Sequence, residues 1–267
     1  LRRAIWVLLM CLSLGLGQSG TAPAAAADQR PLEELKYRLS LGIWEDVARV
    51  HLRLTQVEPG RYRAEFAGAA QGAWSLLSRW LPERYETEMA LEAGRLKPLI
   101  YREKFQAKGR NITKEYRFNH SQGLLEIWRG VDQREPVKEW QIPFKEPVYD
   151  PLTLFYNLRL GAFGPLAGGE TLKVALIPTP ETREMTINLG PETAQGRKVM
   201  LFIKTQDVEA EAGPYFLFCT PEGVPREAWV RVVSFAKLSG QLLNPGEVMK
   251  NGLPPAPRVS LQDGEKR

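Results

Sequence analysis

The chain is short of the side chains that carry out polar chemistry. It contains 2 histidines and 2 cysteines among 267 residues. One cysteine, Cys11, lies in an apolar N-terminal stretch, which leaves His51, His120 and Cys219 as the soft metal ligands of the body. No two of these three fall at a ligand spacing, and a structural zinc site wants four, so no metal is expected. With one thiol beyond residue 27, an internal disulfide is excluded, and a domain of this length has to be held by its core. Cys219 closes the apolar run Tyr215-Phe216-Leu217-Phe218-Cys219, surroundings that keep a thiol protonated and inert. No Gly-x-Ser-x-Gly elbow occurs. Glu33, Glu34, Asp46, Glu103, Asp150 and Glu170 are candidates for acid–base work, but nothing in their spacing pairs any two. The expectation is a non-enzyme without a cofactor.

Charge of one sign is missing as well. Lysine and arginine total 36 against 31 acidic residues, a net charge of +5, and setting Arg2 and Arg3 aside lowers it to +3. That balance is too mild for a nucleic-acid protein, and no basic run resembles a recognition helix. Long apolar runs are scarce too. The run over 4–16 is shorter than the ~20 residues needed to span a bilayer, so no transmembrane anchor is expected. Arg2 and Arg3 precede it and Ala22-Pro23-Ala24-Ala25-Ala26-Ala27 follows, the pattern of a secretory signal peptide cleaved near Ala27. Gly15, Gly17 and Gly20 match a dinucleotide fingerprint in spacing, but no strand–turn–helix surrounds them. The expected organisation is a signal peptide over 1–27, a single β-rich domain over 28–245, and a disordered tail over 246–267 that contains Pro254-Pro255-Ala256-Pro257. The expected location is the periplasm.

What the body does contain is alternation. Ala48, Val50, Leu52 and Leu54 interleave with Arg49, His51, Arg53 and Thr55, and beyond Pro59-Gly60 the same pattern resumes with Tyr62, Ala64 and Phe66. That reads as a hairpin with one apolar and one polar face. Further strands are predicted over 35–39, 85–91, 99–105, 112–118, 125–128, 172–177, 184–189, 198–205, 215–219 and 228–235. Consecutive strands joined by short turns favour an antiparallel meander over a parallel sheet. Two segments break the pattern. Trp74, Leu77 and Leu81 suit a short helix ended by Pro82. Asp150-Pro151-Leu152 opens a second, with Asp150 as N-cap, Pro151 in the first turn and Gly161 as C-cap. The predicted fold is mainly β: an antiparallel curved sheet or barrel-like domain with one or two short covering helices.

Three stretches carry a family likeness. They are Pro31-Leu32-Glu33-Glu34-Leu35-Lys36-Tyr37, the helix with Tyr156-Asn157-Leu158-Arg159, and the turn Pro221-Glu222-Gly223-Val224-Pro225. Together they resemble an exported bacterial family known as domain of unknown function 3108, over about residues 31–243. The resemblance implies a periplasmic, β-rich, barrel-like protein with no established activity. In outline the architecture also looks like that of lipoprotein carriers, whose curved sheet is closed by helices over an apolar cavity.

Two sets of residues are candidates for function. Trp74, Trp80, Phe155 and Tyr156 could line an apolar pocket closed by the central helix, or fill a solid core. Arg49, Arg53, Arg61 and Arg63, with His51, should share the polar face of one hairpin, where they could meet an acidic partner or anionic headgroups. The leading expectation is an exported, non-enzymatic protein that binds or carries an apolar or lipid-like ligand in a β cavity. The alternative is a periplasmic scaffold that binds an envelope protein through its outer strand faces.

Overall fold

In a computed structural model of the chain, the described residues are 31–73, 83–107, 109–132, 134–164, 168–177, 183–203, 214–221, 223–233 and 236–245. The segment over 1–27, the tail over 246–267, and the predicted helix carrying Trp74 and Trp80 lie outside them.

The period-two pattern becomes a sheet of fifteen strands among the described residues. The first meander is β1 (Glu33–Leu41), β2 (Trp44–Glu58), β3 (Arg61–Ala70), β4 (Glu83–Glu92), β5 (Arg95–Ala107), β6 (Arg110–Asn119), β7 (Leu124–Val131) and β8 (Val137–Pro143). After β9 (Val148–Tyr149) and helix α1 (Pro151–Leu160) comes the second meander. It contains β10 (Thr171–Leu176), β11 (Arg183–Thr193), β12 (Gly196–Ile203), β13 (Tyr215–Cys219), β14 (Pro225–Val233) and β15 (Ala236–Leu242). The strand order runs from β8 down to β1, crosses to β15, and continues down to β9. The first and last strands therefore join the two meanders, with Tyr37 opposite Leu242 and Leu41 opposite Leu238. Every neighbouring pair is antiparallel except β9 with β10.

The sheet curls around α1. The helix packs on β4 and β5, and Arg159 near its end bonds Glu33 of β1 and packs under Gly223 in the turn before β14. In a flat sheet, β5 and β14 would lie about 29 Å apart at ~4.8 Å per strand, whereas a helix with its side chains is only ~10–12 Å wide. Only a strongly curved sheet brings both to one helix. The curl is barrel-like but open, because the outermost strands β8 and β9 do not pair.

Alternation places one face of each strand inside. Leu35, Tyr37 and Leu39 of β1, Val50, Leu52 and Leu54 of β2, and Tyr62, Ala64 and Phe66 of β3 are all buried. Three strands lie where the alternation reading has none, and β9 is only two residues long, too short to alternate. β8 is an edge strand with Val137 and Trp140 exposed, so no buried face marks it. β15 carries Ser239 and Gly240 in its middle, which interrupts its apolar face.

Candidate functional site

Helix α1 is apolar on both sides, the signature of a helix enclosed by its surroundings. Six of its ten residues are buried: Pro151, Leu152, Thr153, Leu154, Tyr156 and Asn157. One side is fastened to the first meander by polar contacts. The Asp150 carboxylate accepts from Leu152 N at 2.9 Å, from Thr153 N at 3.0 Å and from the Thr87 hydroxyl of β4 at 3.0 Å. The Thr153 hydroxyl donates to it as well. Burial pushes the Asp150 carboxyl above its ordinary pKa, and these hydrogen bonds oppose that rise. One turn on, Asn157 behaves like a strand neighbour. Its Oδ1 accepts from Leu96 N and its Nδ2 donates to Leu96 O, both at 2.8 Å. Leu96 lies beyond the paired part of β6, so Asn157 satisfies a backbone edge that would otherwise be buried bare. Past the helix, Arg95 donates to Ala162 O at 2.9 Å and lies 5.4 Å from the Phe163 ring centroid.

The other side of α1 faces the second meander across a gap. Leu154, Phe155, Leu158 and Arg159 look toward Met185, Ile187 and Leu189 of β11, Val199 and Leu201 of β12, and Leu217 and Cys219 of β13. The space between them is a cavity of about 640 Å³. Its rim is formed by exposed residues, among them Gly161, Gly164, Glu192 and Pro221. Gly196 also borders it, with φ +122°, and a Cβ there would stand 1.9 Å from the Cys219 carbonyl oxygen, so only glycine fits. The Cys219 thiol, buried in this wall, is pushed up to about 12 by desolvation and is no nucleophile at neutral pH.

Among the described residues, polar groups at the cavity are few. Arg159 donates from Nη1 to Glu33 Oε2, a pair whose side chains are 7% and 0% exposed. Its guanidinium lies 5.5 Å from the Phe155 ring centroid and 5.8 Å from that of Tyr156. Its Nε is buried without a hydrogen-bond partner. Burial first, then the Glu33 charge, holds the Tyr156 phenol well above its usual pKa. At the rim, Arg197 donates to Glu192 at 2.8 Å.

Of the residues expected to line a pocket, Phe155 does so. Tyr156 is 0% exposed and belongs to the packed core. Trp74 and Trp80 lie outside the described residues. Arg49, His51, Arg53, Arg61 and Arg63 do share the outer face of the β2–β3 hairpin, each beside a carboxylate. Arg49 bonds Asp46 at 2.6 Å, Arg53 meets Glu34 at 3.4 Å, and Arg61 stands 3.9 Å from Glu58. Arg63 lies 3.6 Å from both Glu86 and Glu88, and His51 Nε2 is 3.0 Å from Glu34. His120 is occupied by Pro98 O at 2.6 Å, with rings of Phe118 and Phe144 beside it. Among the described residues, no group of three histidine, cysteine or acidic side chains is placed to hold a metal ion.

Sequence reasoning missed Leu154 and Leu158 as lining residues and Arg159 with Glu33 as the buried pair. The available signal was the apolar character of α1 on both sides, with a single arginine near its end. Three stretches singled out in the sequence meet at this point. Glu33 comes from the first, Arg159 from the second, and Gly223 from the third, where its missing side chain lets the turn approach Arg159 Cγ.

Comparison with known proteins agrees in part. No curated protein matches the chain. Among solved structures, a β-barrel-like protein of domain of unknown function DUF1849 from Brucella abortus is 10% identical, covering 79% of this chain and 95% of its own, with a TM-score of 0.49. A DUF1089 family protein from Pseudomonas aeruginosa is 12% identical, covering 78% and 95%, with a TM-score of 0.35. The profile of the family described as "Protein of unknown function (DUF3108)" matches residues 36–196, more than half of the sequence, and the chain belongs to that family.

Proposed function

We propose that this protein is a non-enzymatic carrier that binds an apolar or lipid-like ligand between α1 and β11–β13, and that it works in the periplasm after export by its N-terminal segment. The observation that carries the reading is the cavity of about 640 Å³ with aliphatic walls, a size within the range of small-molecule sites. Aliphatic walls of this extent left open to water are unfavourable unless a ligand covers them. Among the described residues, inert Cys219, His51 beside Glu34 and His120 on the Pro98 carbonyl offer no catalytic set to compete with this reading.

The rival reading, a scaffold that captures an envelope protein through Arg49, Arg53, Arg61 and Arg63, has less support. Each of those charges already has a carboxylate neighbour, so little net field remains to attract an acidic partner.

The test is mass spectrometry of organic extracts from protein purified without detergent. A stoichiometric apolar molecule is expected. A clean extract from folded protein that also takes up no added apolar probe would reject the carrier.

A further inference from the structure

The Glu33–Arg159 pair has a feature that a purely structural strut does not require. Arg159 stands on the cavity side of α1 and its side chain is more than nine-tenths buried; Glu33, which does not border the cavity, occupies Nη1, and both Arg159 Nε and Glu33 Oε1 are buried without a hydrogen-bond partner. A guanidinium is a planar fork that engages carboxylates and phosphates through two N–H groups at once, and a buried N–H without an acceptor is costly. Among the described residues, the other charged side chains that border the cavity, Arg197 and Glu192, bond each other, and Glu192 is exposed at the rim. Arg159 is thus the member of a buried ion pair that borders the cavity, facing a wall of Met185, Ile187, Leu189, Leu201 and Leu217.

We propose that the ligand is a single-chain amphiphile with one acidic head group, whose anion docks on Arg159 while its chain lies along β11–β13. The inference rests on the carrier reading above and adds the class of the molecule. Shape points to a chain: a cavity of about 640 Å³ with aliphatic walls accommodates an acyl chain with a small head. Charge sets the head. An acid offers a charged acceptor to the Arg159 guanidinium at the cavity wall, an alcohol a weaker one, and a quaternary ammonium none.

Isothermal titration of the folded protein with probes of one chain length tests this: dodecanoate, dodecyl phosphate, dodecanol and dodecyltrimethylammonium, with acetate as the head alone. Both acids are expected to bind at least tenfold more tightly than dodecanol, with the ammonium weakest and acetate silent. The two acid arms rank a carboxylate against a phosphate head. Glu33→Gln releases Arg159 from its counter-ion and should widen the preference for dodecanoate over dodecanol. The double variant Glu33→Gln, Arg159→Gln strands no charge and should shrink that preference to near unity. If the double variant fails to fold, the wild-type series and Glu33→Gln still decide. Equal affinity of wild-type protein for dodecanoate and dodecanol overturns the head-group inference and leaves the carrier reading standing. Binding of no twelve-carbon probe overturns both.

Discussion

The two meanders offer comparable inner faces to the same helix, and they treat it differently. On the first, Phe66, Tyr85, Tyr101 and Tyr116 stand side by side on β3 to β6, with ring centroids 5.2, 6.3 and 5.7 Å apart. Aromatic side chains of this size fill the space up to α1. On the second, β11 to β13 present Met185, Ile187, Leu189, Val199, Leu201 and Leu217, which stop short of it. The helix does not settle into the gap because Asp150, Asn157 and Arg95 hold it to β4 and β5. The cavity follows from that one-sided fastening combined with short side chains opposite, and it is not slack packing. One half of the curl is a foundation and the other is a container.

The largest effect should come from the junction between the halves. Arg159→Met leaves Glu33 buried without a partner, and about 3–5 kcal/mol of stability should be lost in urea unfolding. Replacing both, as Glu33→Leu with Arg159→Met, should recover most of it, since an apolar pair of similar volume is often close to neutral.

Next come truncations that contrast foundation and container. Leu52→Ala, at a fully buried position of β2, should cost about 3–5 kcal/mol, whereas Leu217→Ala in the cavity wall should cost about 2 or less. Equal costs would erase the distinction between the halves. Asn157→Ala should fall close behind the first of these, at about 2–3 kcal/mol, because it strands the N–H and C=O of Leu96.

Asp150 provides a pH test. Its carboxyl is raised in the fold, first by burial, so its contribution to stability is fully present below the unfolded value of 3.8 and is lost as pH climbs through the higher folded value. Asp150→Asn keeps a capping oxygen without a titrating charge. The stability of wild type relative to this variant should therefore decline as pH rises from 3 toward neutrality in matched urea titrations. The smallest effect belongs to the outer face. Arg63→Ala, in the lattice with Glu86 and Glu88, should change stability by about 1 kcal/mol or less.

Much of the foundation was legible in the sequence. The period of two gave the hairpin in which Leu52 faces Phe66 and Leu54 faces Ala64, and Asp150, Pro151 and Gly161 marked both ends of α1. These are local signals, set by neighbours in the chain. The container was not legible, because it depends on pairings remote in sequence. Arg159 meets Glu33 across 126 positions, and β1 joins β15 across about 200. Helical spacing grouped Phe155 with Tyr156, yet the first borders the cavity and the second is core, since α1 lies between two walls. The hairpin arginines were read correctly as sharing a face. Their partners Glu86 and Glu88 come from β4 and were not visible from β2 and β3 alone.

The most direct test of the container is to fill it. Val199 is partly buried on the cavity wall, and Val199→Trp would occupy the space in front of α1 without touching the Asp150 or Asn157 contacts. Titration with dodecanoate should give one site per chain in wild-type protein and none in a folded Val199→Trp variant. Equal binding by the two proteins would place the ligand elsewhere and contradict the account.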